Sequence, residues 1–138
     1  MPAKDKVHEI VKNALIKDDW TITHDPLKVS AGKKDVFIDL GAEKMVAAEK
    51  AGRKIAVEIK SFIGASEVED WKNAIGSYIM YRGLMSVYEP QRTVYLAVRQ
   101  EIYDELLTEP IGNILIQGEG IKLVLFDPER EEIVAWME

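Results

Sequence analysis

The chain of 138 residues contains no cysteine, which excludes disulfides and thiolate metal sites. Histidine is nearly absent too: His8 and His24 stand alone, without the spacing of a zinc site. Any bound metal would therefore be held by oxygen. No apolar run approaches the length of a membrane span, and Met1-Pro2-Ala3-Lys4-Asp5-Lys6 leads into an amphipathic segment rather than an apolar signal core. A cytoplasmic protein with no membrane contact is the expectation. Positive charge is in short supply, with 18 Lys and Arg against 24 Asp and Glu for a net charge of −6, which disfavours non-specific binding to nucleic acid. There is no phosphate-cradling glycine loop, no nucleophile elbow, and no Ser/His/Asp arrangement that the spacing would support. The chemistry that remains is that of carboxylate and lysine.

What is present is ordinary in bulk. Apolar residues make up 47% and charged residues 30%, as in a soluble globular protein. The length predicts one domain over residues 1–138, large enough to bury roughly two thirds of its unfolded surface.

The most informative stretch is Lys54–Phe62. It alternates strictly, so Ile55, Val57 and Ile59 share one side of a predicted strand while Lys54, Ala56, Glu58 and Lys60 share the other. The expectation is a core face and a charged outer face. Residues two apart on a strand project side by side, so Glu58 and Lys60 would offer a carboxylate and an ammonium to the same volume. That pair suits the holding of a divalent cation and the polarising of a phosphate. The alternative is a half-buried strand whose outer face is merely charged.

Along the chain, Val7, Ile10, Val11, Ala14 and Leu15 carry the i, i+3, i+4, i+7, i+8 spacing of an amphipathic helix over Asp5–Asp18, with Glu9 on its solvated side. Trp20–Thr23 predicts a strand, Asp25-Pro26 a break, and Leu27–Ser30 a short extended piece. Val36–Leu40 predicts a further strand ending in Asp39, which is either a turn initiator or a ligand delivered at a strand tip. Met45–Glu49 and Lys54–Lys60 flank Lys50-Ala51-Gly52-Arg53, the signature of a hairpin with glycine where φ must be positive. Its register, and so whether Glu43 or Glu49 shares the face of Glu58, is open at this level. Ser66-Glu67-Val68-Glu69 has the form of a capping box and opens a helix running on Val68, Trp71, Ile75, Tyr78 and Ile79. Thr93–Val98 is almost wholly apolar and β-branched, as in a central strand covered on both faces. Gln100–Leu107 and Pro110–Gln117 predict short helices, and Ile121–Phe126 and Glu132–Trp136 the closing strands. This order gives an α/β architecture with a mixed sheet flanked by helices.

An Asp at a strand end, a hairpin, then Glu-x-Lys on the next strand followed by a helix resembles the PD-(D/E)xK nuclease superfamily and its restriction-endonuclease-like fold. The residues are Asp39 and Glu58-Ile59-Lys60. More narrowly, Ile38–Glu43, Ala48-Glu49-Lys50, Lys54–Phe62, Ala74–Tyr78 and Leu96-Ala97-Val98 look like the XisH family, over almost the whole chain. That family is described as controlling excision of the fdxN DNA element together with a partner called XisI. The resemblance implies a DNA-related role. In the superfamily the motif Asp and Glu bind magnesium, the carbonyl between Glu and Lys adds a ligand, and the Lys orients or deprotonates the attacking water. Carried over, Asp39, Glu58 and Ile59 would hold Mg²⁺ and Lys60 would serve the water. Ile38 replaces the motif Pro, and 18 residues separate Asp39 from Glu58.

Two carboxylates suffice for Mg²⁺, which keeps several waters in its octahedral shell. The readings in competition are a Mg²⁺-dependent endonuclease acting on DNA, a non-catalytic regulatory protein using the same fold to bind DNA or a partner, and an unrelated small-molecule enzyme. A DNA-acting domain of net charge −6 lacks basic surface for binding alone, and the family resemblance implies a companion or self-association that could complete it, so a homodimer or a hetero-complex with an XisI-like protein is expected. Met80, Tyr81, Leu84, Met85 and Tyr88 are the candidate contact residues, with a second small core cluster as the alternative.

Overall fold

The computed structural model describes residues 3–32, 34–37 and 45–138. The first helix, α1 (Ala3–Lys17), buries the five apolar residues that mark its helical spacing. It ends because Asp19 turns left-handed at φ 68°, so that Trp20 N–H reaches back to Leu15 O at 3.0 Å and Asp19 N–H to Ile16 O at 3.0 Å. Then follow β1 (Thr21–His24), β2 (Lys28–Ala31), β3 (Lys34–Phe37), β4 (Met45–Lys50) and β5 (Arg53–Ile59). Helix α2 (Glu67–Tyr88) leads to β6 (Arg92–Arg99), and α3 (Gln100–Ile102) runs on as a π-helical turn over Tyr103–Leu107. The chain finishes with α4 (Pro110–Glu119), β7 (Leu123–Asp127) and β8 (Glu132–Met137).

Six strands form one mixed sheet in the order β1-β4-β5-β6-β7-β8, and β2 and β3 pair as a separate ribbon. β5, β6 and β7 are parallel neighbours, and the other pairs are antiparallel. β6 is central, as its apolar run predicts, because an all-apolar strand is stable only where both faces are covered. The β4–β5 hairpin turns through Ala51 (φ 49°) and Gly52 (φ 80°), the two positive φ values that match the twist of the flanking strands.

Two apolar layers lie on the two faces. Beneath α2, Met45, Ala47, Ala56, Val94, Leu96, Val98, Leu123 and Leu125 meet Trp71, Ala74, Tyr78, Tyr81 and Met85. Beneath α1, Val46, Ala48, Ile55, Val57, Tyr95, Ala97, Val124 and Phe126 meet Val7, Ile10, Val11 and Leu15. Two sequence expectations change here. Ala56, Glu58 and the following Lys60 do not form a solvated outer face: all three are buried, Ala56 within the layer shared by α2, Leu27, Val29 and Phe62, and only Lys54 at the far end of β5 stays partly exposed. The buried stripe of α2 is also rotated: Val68 and Ile79 are exposed, while Tyr81 and Met85 are buried.

Candidate functional site

The end of β5 and the segment after it assemble the site. Glu58 lies opposite Met45 of β4 and Leu96 of β6, on the α2 side of the sheet. Its exposure is 3%, and that of Lys60 is 8%. They lie two residues apart, about 6.6 Å along an extended chain. Lys60 N–H donates to Ala97 O at 3.2 Å, which carries the pairing with β6 one residue beyond β5 and holds the lysine backbone in line with Glu58 and Ile59. Burying charged side chains to this degree is costly unless they are paired or hydrogen-bonded. The negative charge of Glu58 reaches α2: Tyr78 is held above its ordinary phenol range by burial first, with Glu58 adding to the rise.

The chain leaves this strand under constraint. Phe62, 6% exposed, adopts φ 53°, a left-handed conformation that a bulky residue enters only when its surroundings hold it there. Arg99, at the end of β6, donates through Nη1 to the carbonyl of Ser61. Gly64 N–H donates to Asp70 Oδ2 at 2.9 Å, and a Cβ on Gly64 would lie 2.6 Å from that carboxylate, so a larger residue would have to displace the Asp70 side chain. Asp70 is in the first turn of α2, whose N-cap Ser66 accepts from Glu69 N–H at 3.2 Å, as the capping box predicts. The residues after Lys60 are thus tied to α2 and to β6. Sequence reading missed Phe62, Asp70 and Arg99. Gly64 beside the capping box was the one available signal.

Of the predicted site residues, Glu58, Ile59 and Lys60 lie together. Asp39 and Glu43 lie outside the described residues. Glu49 is on the same face as Glu58 but pairs with Lys54 in the register, 3.7 Å from its Nζ, and sits four residues, about 13 Å, along the strand. Glu9 is on α1, across the sheet, with its carboxylate 3.6 Å from Lys12. Neither joins the site. Among the described residues no group of three or more His, Asp or Glu side chains is placed to hold a metal. The oxygen groups that could serve a cation here are the Glu58 carboxylate and, as the resemblance implies, the main-chain carbonyl of Ile59. They suit a hard cation of the Mg²⁺ class, which takes one or two carboxylates and fills its shell with water and phosphate oxygens.

The family model described as XisH protein matches residues 1–134. The crystal structure of an XisH family protein from Nostoc punctiforme PCC 73102 is 37% identical and superposes with a TM-score of 0.90, covering 97% of this chain and 100% of that one. That of an fdxN element excision controlling factor protein from Anabaena variabilis is 38% identical with a TM-score of 0.89, covering 97% and 99%. No curated protein matches. No helix among the described residues is long and apolar enough to cross a membrane.

Proposed function

The chain belongs to the XisH family, and from that premise we propose that it acts in controlled excision of a DNA element, with Glu58 and Lys60 as the working pair of a nuclease-like site. The observation that carries this reading is the burial of Glu58 and Lys60, two residues apart at the C-terminal end of a strand parallel to its neighbour. In open α/β sheets that end is where ligands bind. On this reading the fold is of the restriction-endonuclease-like class, and Asp39 supplies the second carboxylate.

Glu58 and the Ile59 carbonyl would hold Mg²⁺ with Asp39, and the cation would supply Lewis-acid stabilisation of charge on a phosphodiester. The chain's own groups do the rest. Lys60 places positive charge beside the scissile phosphate and orients a water towards it. Burial limits solvent around the pair, so the charge of Lys60 acts at low effective dielectric. The segment Ser61–Gly64, tied to Arg99 and Asp70, keeps Lys60 from swinging away.

The test pairs calorimetry with cleavage. Mg²⁺ or Mn²⁺ should bind the native protein and bind Glu58→Ala at least about tenfold more weakly. Nicking of supercoiled plasmid should require the cation and fall by about 10² or more in Lys60→Ala with cation binding retained. A second reading is favoured by the net charge of −6: a non-catalytic regulator using the same surface to bind a partner or DNA. Cation binding without any nicking selects it, and absence of both sinks the site.

A further inference from the structure

We infer that the outward side of α2 is the seam of a twofold homodimer in which two copies of this helix pack antiparallel. From Ile75 to Tyr88 the helix carries a single charge, Arg82, and has apolar residues on both its sheet side and its outward side, with Ser77 and Ser86 on the flanks between them. Only one side is used, since Trp71, Ala74, Tyr78, Tyr81 and Met85 face the sheet. A helix apolar on both sides is stable in water only when both are covered. On the outward side Ile79 is 39% exposed, Met80 38%, Val87 70% and Tyr88 49%.

The outward residues follow a pattern that fits a second copy of this chain. Gly76, Met80, Gly83 and Val87 recur at intervals of four, three and four, the spacing of a helix–helix seam. Among the described residues nothing requires glycine at 76 or 83, where an added Cβ would meet no atom within 4 Å, and each glycine costs helix stability relative to alanine. A twofold axis crossing the helix between Tyr81 and Arg82 sets Met80 against Gly83 of the second copy and Gly76 against its Val87. Large meets small at every step, and each contact occurs twice, as an isologous interface demands. In this antiparallel arrangement the opposed helix dipoles attract. The seam lies outside the Glu58–Lys60 site and does not depend on its chemistry.

Sedimentation velocity across a concentration series spanning about two decades should show reversible monomer–dimer exchange. Gly83→Gln places a helix-favouring side chain where the isolated chain has open space. It should keep or raise the thermal midpoint at high dilution while weakening the dimer at least about tenfold. Val87→Glu, at a position 70% exposed, should weaken it likewise. Because the chain has no cysteine, the register is readable directly: Met80→Cys mixed with Gly83→Cys should form a mixed disulfide faster than either variant alone. A monomer throughout the series, a dimer that both Gly83→Gln and Val87→Glu leave unchanged, or equal cross-linking in all three mixtures overturns the inference.

Discussion

Tyr95 is fully buried, yet its hydroxyl reaches the Glu138 carboxylate and accepts from Arg53 Nη2 at 3.5 Å. Burial first, then the hydrogen bond to that carboxylate, push its phenol up from 10.0 to about 12. The folded state holds the proton more tightly than the unfolded one, so this contribution is complete below about pH 10 and is lost as pH rises towards about 12. Denaturant unfolding above neutrality should show that loss, and Tyr95→Phe should remove most of the alkaline slope while costing about 1 kcal/mol at neutral pH. An unchanged slope in Tyr95→Phe would assign it to other groups. At the acidic end Asp25 behaves oppositely. Burial raises its carboxyl, but hydrogen bonds from Lys12 at 2.6 Å and His8 at 2.8 Å outweigh burial and hold it below 3.8. Its contribution is present above that value and fades as pH falls further, which ties the segment after β1 to α1 at neutral pH.

At the level of elements, α4 is positioned by one close approach. A Cβ on Gly112 would lie 2.4 Å from the Leu107 Cα, so the first turn of α4 packs directly on the π-helical turn before it. Gly112→Ala should therefore destabilise the fold by about 2 kcal/mol. Gly118→Ala, in the same helix with open space around it, should stabilise by about 0.5 kcal/mol. Equal midpoints for the two in urea would refute the packing argument. The edge strands explain a different property. β1 carries a register irregularity between Ile22 and His24, and β8 one opposite Leu125 and Phe126. Bulges on edge strands twist the free backbone groups away from further strand pairing. Among the described residues the sheet thus ends at six strands, and α2 is one of the elements that expose apolar side chains.

Across the whole molecule, charge opposes the proposed DNA role of an isolated chain. With a net charge of −6, few phosphate counterions can be displaced by clustered Lys and Arg. Gel-shift at about 0.05 and about 0.15 M salt should show weak binding of duplex DNA by this chain alone, with a shallow salt dependence. Tighter binding is expected once a companion protein adds basic surface. Tight and salt-steep binding by the chain alone would contradict the charge argument. Homodimerisation through α2 doubles the acidic charge, so it does not substitute for such a companion.

The sequence by itself determined what depends on near neighbours. Helical spacing placed α1, the glycine-bearing turn placed the β4–β5 hairpin, Ser66 with Glu69 started α2, and the apolar run made β6 central. Each rests on hydrogen bonds or on burial demanded by an adjacent stretch of chain. Alternation also grouped Glu58 with Lys60, because period two is a property of any strand. Only the tertiary structure decided whether that face is covered, since alternation says which residues share a side and nothing of what packs on it. The same limit applies to α2, where a helix apolar on two sides has no single periodic face to read, so Tyr81 and Met85 went to the core and Met80 and Val87 to the outside. Register separated Glu49 from Glu58 by pairing it with Lys54. The left-handed Phe62 sits between Ser61, bonded to β6, and Gly64, bonded to α2, elements that come after it in the chain and meet this segment only when the sheet closes.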